Sequence, residues 1–206
     1  MSIRPAPPER LPRGPHKLSR DEVALAQRTR LIRAMAEVMA EKGYVETTVA
    51  DVLSRAGIGR ETFYQQFSSK QDCFIAAYDA ATEVIISGAA RDAFADGPPL
   101  ERFDRAIGHY LSALAAEPAF ARLFMVEVYA AGEQTLKRRN EIQEQFVELV
   151  LNAFGARDEA TRFTCEALVA AIITLVTTRL AMRDVDGLLA LHEPLTELVR
   201  RALANV

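Results

Sequence analysis

Apolar positions recur every three or four residues over almost the whole chain. No stretch alternates with the period of two that a half-buried strand requires, so the pattern predicts an all-α fold. Ser19 with Glu22 three residues later has capping-box spacing, which starts a first helix near Arg20. Leu31, Met35, Val38 and Met39 are its inner stripe, and it runs to Lys42 and stops at Gly43. Thr48 with Asp51 repeats the capping signal before an apolar face of Val49, Val52 and Leu53. Gly57 permits a positive φ and a tight turn, Ile58 fills the corner, and Gly59 or Arg60 opens a short helix with Phe63 and Phe67 facing inward. Ser69 and Asp72 cap a fourth helix that continues to about Ala95, where Asp96-Gly97-Pro98-Pro99 ends it.

Beyond that break the pattern stays helical. Leu100–Ala116 carries Phe103, Ile107, Tyr110, Leu111 and Leu114, and Pro118 then sits at a helix N1 position. Ala119–Ala131 is apolar on most sides and ends at Gly132. Glu133–Phe154 places Ile142, Phe146, Leu149 and Val150 on one stripe and ends at Gly155. Asp158–Asp184 is a long helix with an apolar, small-residue centre, and Pro194–Ala204 closes the chain with Leu195, Leu198, Val199 and Leu203 at helical spacing. The expected organisation is a basic, Pro-rich arm over residues 1–18, a helix-turn-helix domain over 19–70 and a second helical domain over 71–206.

Charge changes this picture through its distribution. The formal net charge is −3. Residues 1–75 nevertheless hold 12 Lys/Arg against 9 Asp/Glu, while the remainder holds 13 against 19. The basic end is the one suited to phosphates. Residues 1–11 read as a disordered tail, and Arg13-Gly14-Pro15-His16-Lys17 as either more of that tail or an arm for the adjacent minor groove. Arg28 and Arg30 read as a solvated face or as auxiliary phosphate contacts. Cys73 and Cys165 form no disulfide framework, no apolar leader opens the chain, and the longest apolar run, Ala167–Val176, is too short to span a bilayer. A cytoplasmic protein with no membrane association is expected.

The chemistry concentrates in residues 47–70. A short helix after a Gly turn, exposing Arg60, Glu61, Tyr64 and Gln65, has the donors and acceptors that read base edges in a major groove. Lys70 stands in the first turn of the next helix, where a cation is disfavoured unless a phosphate lies against the free backbone N–H groups. Gly43-Tyr44, Thr47-Thr48-Val49, Ala56-Gly57-Ile58-Gly59-Arg60, Thr62-Phe63-Tyr64, Phe67 and Ser69-Lys70 together closely resemble the DNA-binding domain of TetR-family regulators, over roughly residues 25–80. Leu53 departs from that pattern, which usually has a small residue at the helix crossing. Gln65-Gln66 stands where aromatic or His residues are common, which bears on base preference. The resemblance implies that Arg60, Thr62, Tyr64 and Gln65 contact bases or nearby backbone of double-stranded DNA. It implies that Thr48 and Lys70 hold phosphates. It further implies a homodimer built by Glu159–Arg183 and Pro194–Ala204 across a two-fold axis, and a small-molecule effector that governs DNA release, with repression the expected output.

The apolar residues Ile173, Val176 and Leu180, with Leu195, Leu198 and Val199, offer more apolar surface than one small domain needs, which supports the dimer. For the effector, His109, Thr174, Thr177 and Thr178 are polar groups within apolar faces, and Phe124 is an aromatic candidate beside them. A mainly apolar ligand with few polar handles is expected. No cofactor or metal is expected. Catalysis is disfavoured because His16, His109 and His192 are far apart and lack an evident partner, and Gly57-Ile58-Gly59 lacks the strand and third glycine of a dinucleotide loop. The alternative is a helical binding or dimerisation protein without ligand-controlled DNA release.

Overall fold

The computed structural model describes residues 19–155 and 158–203. The helices are α1 (Arg20–Glu46), α2 (Val49–Ala56), α3 (Arg60–Gln66), α4 (Lys70–Ala93), α5 (Pro99–Ala116), α6 (Pro118–Met125), α7 (Glu133–Phe154), α8 (Glu159–Ala181), α9 (Val185–Leu189) and α10 (His192–Ala202), with a 3-10 turn at Glu127–Ala131 after α6. The chain is all-α over the described residues. The arm expected over residues 1–18 lies outside them, as does Ala204 at the end of the last expected helix.

Helices α1 to α3 pack around Leu31, Met35, Val52, Phe63 and Phe67, all essentially without solvent contact. Helix α4 leaves this group and enters the second: Phe74, Ala77, Tyr78 and Ala81 are buried between α1 and the helices that follow. The core is therefore continuous through α4, and the expected boundary at 70/71 falls at its first turn. Helices α5 to α8 and α10 surround Ile107, Leu111, Leu114, Leu123, Cys165, Val176 and Leu195.

Four local departures have physical causes. Gly43 breaks α1 with φ 78 and ψ 173, after which one further helical turn reaches Glu46. The apolar run expected as one helix to Ala131 changes at Val126 into a 3-10 turn that ends at Gly132, φ 93. The change brings Glu127 to face α1, where its carboxylate accepts from the Tyr44 N–H at 3.2 Å. At the start of α4 the capping box is only half formed. The Ser69 hydroxyl accepts from the Asp72 N–H at 3.1 Å, but the Asp72 carboxylate accepts from the Ser68 N–H at 2.8 Å instead of returning to Ser69. The short helix α9, capped by Asp184 accepting from the Gly187 N–H at 2.8 Å, has no counterpart in the periodicity because five residues are too few to show one.

Candidate nucleic-acid interface and effector cavity

The reading element is assembled by local turn chemistry. The Thr48 hydroxyl accepts from the Asp51 N–H at 3.2 Å while the Asp51 carboxylate accepts from the Thr48 N–H at 2.8 Å, so α2 begins with a complete capping box. The Thr48 hydroxyl also donates to that carboxylate at 2.7 Å, and this bond, with Lys42 at 2.9 Å and the Thr48 N–H, holds the Asp51 carboxyl well below its ordinary range. Gly57 ends α2 in the left-handed region at φ 63. Phe63 and Phe67 anchor α3 inward with ring centroids 5.7 Å apart. Arg60, Glu61, Tyr64 and Gln65 are consequently exposed on its other side, with Thr62 half-buried beside them. Tyr64 is held by edge contact with Phe63 at 5.3 Å, and Gln65 reaches Glu61 at 3.5 Å. The arrangement gives one short helix an outward row of a cation, a phenol and an amide on a rigid aromatic base.

The flanking cations do something the sequence did not disclose. The Lys70 ammonium donates to the carbonyls of Tyr44 and Thr47, both at 2.9 Å, and lies 4.1 Å from the Tyr44 ring centroid. It is half-buried, and burial draws its pKa down while Glu46 opposes the shift. Arg28 donates to the Gln66 carbonyl at the end of α3 at 2.9 Å and stacks on Phe67. Arg30 donates to the carbonyls of Ala56 and Gly57 at the end of α2. Each long cation thus satisfies carbonyls that a helix C-terminus leaves without an intrahelical partner. Lys70, read from sequence as a phosphate contact, and Arg28 and Arg30, read as a solvated face or auxiliary phosphate contacts, are engaged with the chain itself.

Contacts to the second domain come from the end of α1 and from α4. Glu127 holds the Tyr44 N–H and pairs with Arg122 at 3.3 Å. The Gln71 amide donates to the Ala131 carbonyl at 2.6 Å, and Arg138 pairs with Asp79 of α4 at 2.6 Å. Glu127 and Gln71 were not legible as functional positions, because an isolated Glu or Gln in a helical pattern reads as a solvated face.

The second domain holds an apolar cavity of ≈ 100 Å³ between α4, α5, α7 and α8, with Phe103, Ile107, Tyr110, Phe146, Val150 and Ile173 in its wall. Tyr110 packs against Phe146 at 6.3 Å, and burial pushes its phenol pKa well above the ordinary value. The polar residues expected to mark this cavity are not in its inner wall. His109 is exposed and pairs through Nδ1 with Asp92 at 2.7 Å, because it sits on the solvent side of α5, one residue before Tyr110. Thr174 and Thr178 are exposed on α8 and donate to the carbonyls one turn back, at 2.8 and 2.9 Å. Thr177 Oγ1 is buried and has no hydrogen-bond partner among the described residues, but it is outside the cavity wall. Phe124 is core, stacked on Tyr78 at 5.9 Å. His192, expected to lack a partner, contacts Asp104 at 3.1 Å and ties α10 to α5.

The expected dimer face also rotates. Val176, Leu180, Leu195 and Val199 are buried within the chain, and Ile173 lines the cavity, so of the expected set only Leu198 is exposed. The outward apolar face of α8 is instead Phe163 (71 % exposed), Leu175 (40 %) and Met182 (70 %), with Ala167, Thr174 and Thr178 between them. Helix α8 is apolar on both sides, so periodicity could not tell which stripe faces the core.

The comparisons agree with this geometry. The family described as bacterial regulatory proteins, tetR family, matches residues 31–77. The fatty acid metabolism regulator protein of Bacillus subtilis (strain 168) is 24% identical over 120 residues, 58% of this chain and 62% of that protein. The HTH-type transcriptional activator FasR of Mycolicibacterium smegmatis is 32% identical over 73 residues, 35% of this chain and 32% of that protein. The chain thus matches less than two thirds of either relative's length. The fold extends further: the structure of the transcriptional regulator FadR from Bacillus subtilis in complex with stearoyl-CoA superposes with a TM-score of 0.68 at 20% identity, covering 86% of this chain and 98% of that one. Residues 31–77 thus carry a match to the tetR family of bacterial regulatory proteins, and the helical second domain behind them shares its fold with the Bacillus subtilis regulator.

Proposed function

We propose that this chain is a dimeric, ligand-responsive DNA-binding regulator of transcription, acting in the cytoplasm as a repressor. The observation that carries the reading is the α3 surface: Arg60, Tyr64 and Gln65 stand outward on a helix whose opposite side is fixed by Phe63 and Phe67. Arg60 and Gln65 supply the side chains that pair with guanine and adenine edges, while Tyr64 and Thr62 suit backbone or a thymine methyl. Thr48 stays at the α2 N-terminus, where its N–H groups suit a phosphate. Lys70 acts here as the lock that sets α4 against the end of α1.

A single short helix reads few bases, so two copies are needed for useful specificity. The second copy covers Phe163, Leu175 and Met182 of α8 with Leu198 of α10. In its support, α8 is apolar enough to pass for a membrane span, yet only 33% of that apolar window is buried inside the chain. Small residues on the same side let two helices approach closely. The effector is a long acyl compound, by analogy with the stearoyl-CoA bound to the Bacillus subtilis protein and with the apolar wall of this cavity. Ligand binding releases DNA only if it favours the state that does not fit the operator.

Selection of bound duplexes from a random pool by the full-length chain tests the reading. Enrichment of a palindrome, lost in Arg60→Ala, is the expected result. Enrichment of a single unrepeated site would contradict the dimer, and no enrichment would contradict DNA reading.

A further inference from the structure

The inner cavity is not closed. Between α4 and α5 a second space of ≈ 260 Å³, bounded by Val84, Ile85, Gly88, Arg91, Asp92 and His109, shares three wall residues with it: Ala89, Ala106 and Tyr110. Four wall residues of this second space, Gly88, Ala89, Ala106 and Ala113, are Gly or Ala, which leaves the gap unfilled. Ligand pockets usually run about 300–1,000 Å³. The inner cavity alone falls short, and the vestibule brings the space to the lower end of that range.

The two compartments differ in chemistry. The inner wall is apolar but for the Tyr110 hydroxyl, whereas the vestibule carries Arg91, Asp92 and His109 at its rim. The His109 side chain is 73% exposed, and it crosses the mouth to meet the Asp92 carboxylate at 2.7 Å. A ligand that fits both spaces is apolar along its length and polar at one end.

We infer that the α4–α5 mouth is the head-group site of the effector, and that Arg91 and His109 there bind the carboxylate or acyl-thioester oxygen of a long-chain acyl compound whose tail fills the inner cavity. This rests on the acyl reading above and adds where the ligand enters and which residues select its head. Arg91 and His109 donate hydrogen bonds to the acyl oxygens, and the head displaces the His109 contact from Asp92. That contact joins α5 to α4, and α4 is the helix whose first residue, Lys70, holds the end of α1. Head-group binding therefore loosens α4 from α5 along the element that reaches the reading head.

Calorimetric titration of the full-length chain with palmitate, palmitoyl-CoA and hexadecanol separates head from tail. The wild type is expected to bind all three, hexadecanol most weakly. Arg91→Ala and His109→Ala are expected to weaken the palmitate or palmitoyl-CoA interaction roughly tenfold, the scale of one charge-assisted hydrogen bond, and to leave hexadecanol within about twofold. Which of the two acyl ligands responds identifies the head. Ala106→Phe, which narrows the shared wall, should weaken all three together. Failure of the wild type to bind any of them overturns the acyl reading and this site with it. Binding by the wild type with equal or no loss across the three heads in Arg91→Ala and His109→Ala overturns the head-group site alone.

Discussion

Lys70 and Arg60 are both cations of the DNA-binding domain, and their surroundings give them opposite roles. Lys70 donates to two carbonyls and lies over an aromatic ring, while Arg60 is exposed on α3 and has no hydrogen bond or ion pair among the described residues. Lys70→Ala should therefore lower unfolding stability by about 1–2 kcal/mol, read from urea melts, and leave the salt dependence of residual DNA binding unchanged. Arg60→Ala should leave the melt unchanged, cost about 1–3 kcal/mol of binding and relax discrimination at one base pair. Asp51 supplies a pH prediction. Its carboxyl is held down by the Thr48 hydroxyl first, then Lys42 and the Thr48 N–H. A depressed folded value means that its contribution is present above the ordinary Asp range and is lost as the pH falls through the folded value. Asp51→Asn should remove that part of the acid sensitivity, so that its urea midpoint falls less than the wild-type one between pH 6 and pH 3. Cys73 lies at the other extreme: burial pushes its thiol up to about 12, so it should resist alkylation near neutral pH until the chain unfolds.

The elements divide by how local their causes are. The α2–turn–α3 unit was legible because each of its signals acts within four residues: the Thr48–Asp51 box, the positive φ at Gly57, the Phe63–Phe67 pair. Gly57→Ala tests this, since a Cβ there meets a left-handed backbone and Arg30 Nη2 at 3.1 Å. A loss of about 1 kcal/mol or more in a thermal melt is expected. Thr48→Ala should cost a similar amount through the cap. What was not legible acts across the chain. Arg28 finds the end of α3 38 residues away, Lys70 finds the end of α1, and Glu127 finds Tyr44 83 residues away. No spacing rule encodes a side chain that satisfies a distant helix terminus. The long helices pose a different difficulty. Helix α8 presents Val176 and Leu180 to its own core and Leu175 and Met182 outward, and one hydrophobicity pattern serves both faces. His109 faces the α4–α5 mouth and not the inner wall for a related reason, because a His one position from a core Tyr can face either way.

At the scale of the whole molecule, the chain joins the helix-turn-helix head to an apolar cavity through one continuous helix, α4, and leaves the outer apolar face of α8 uncovered. If a second copy covers that face, Leu175→Glu with Met182→Glu should yield a folded monomer by sedimentation, with operator affinity lowered at least about tenfold. An unchanged dimer would place the interface elsewhere. On this reading, filling the cavity changes what the heads can bind. Its most direct test is fluorescence anisotropy of the selected operator bound to the full-length chain, titrated with palmitoyl-CoA and, in parallel, with coenzyme A lacking the acyl chain. Saturable release of the duplex by the acylated compound alone is the predicted result. Retention of the duplex at saturating ligand, or equal release by coenzyme A without the chain, would contradict the claim that an acyl tail in the cavity governs the reading heads.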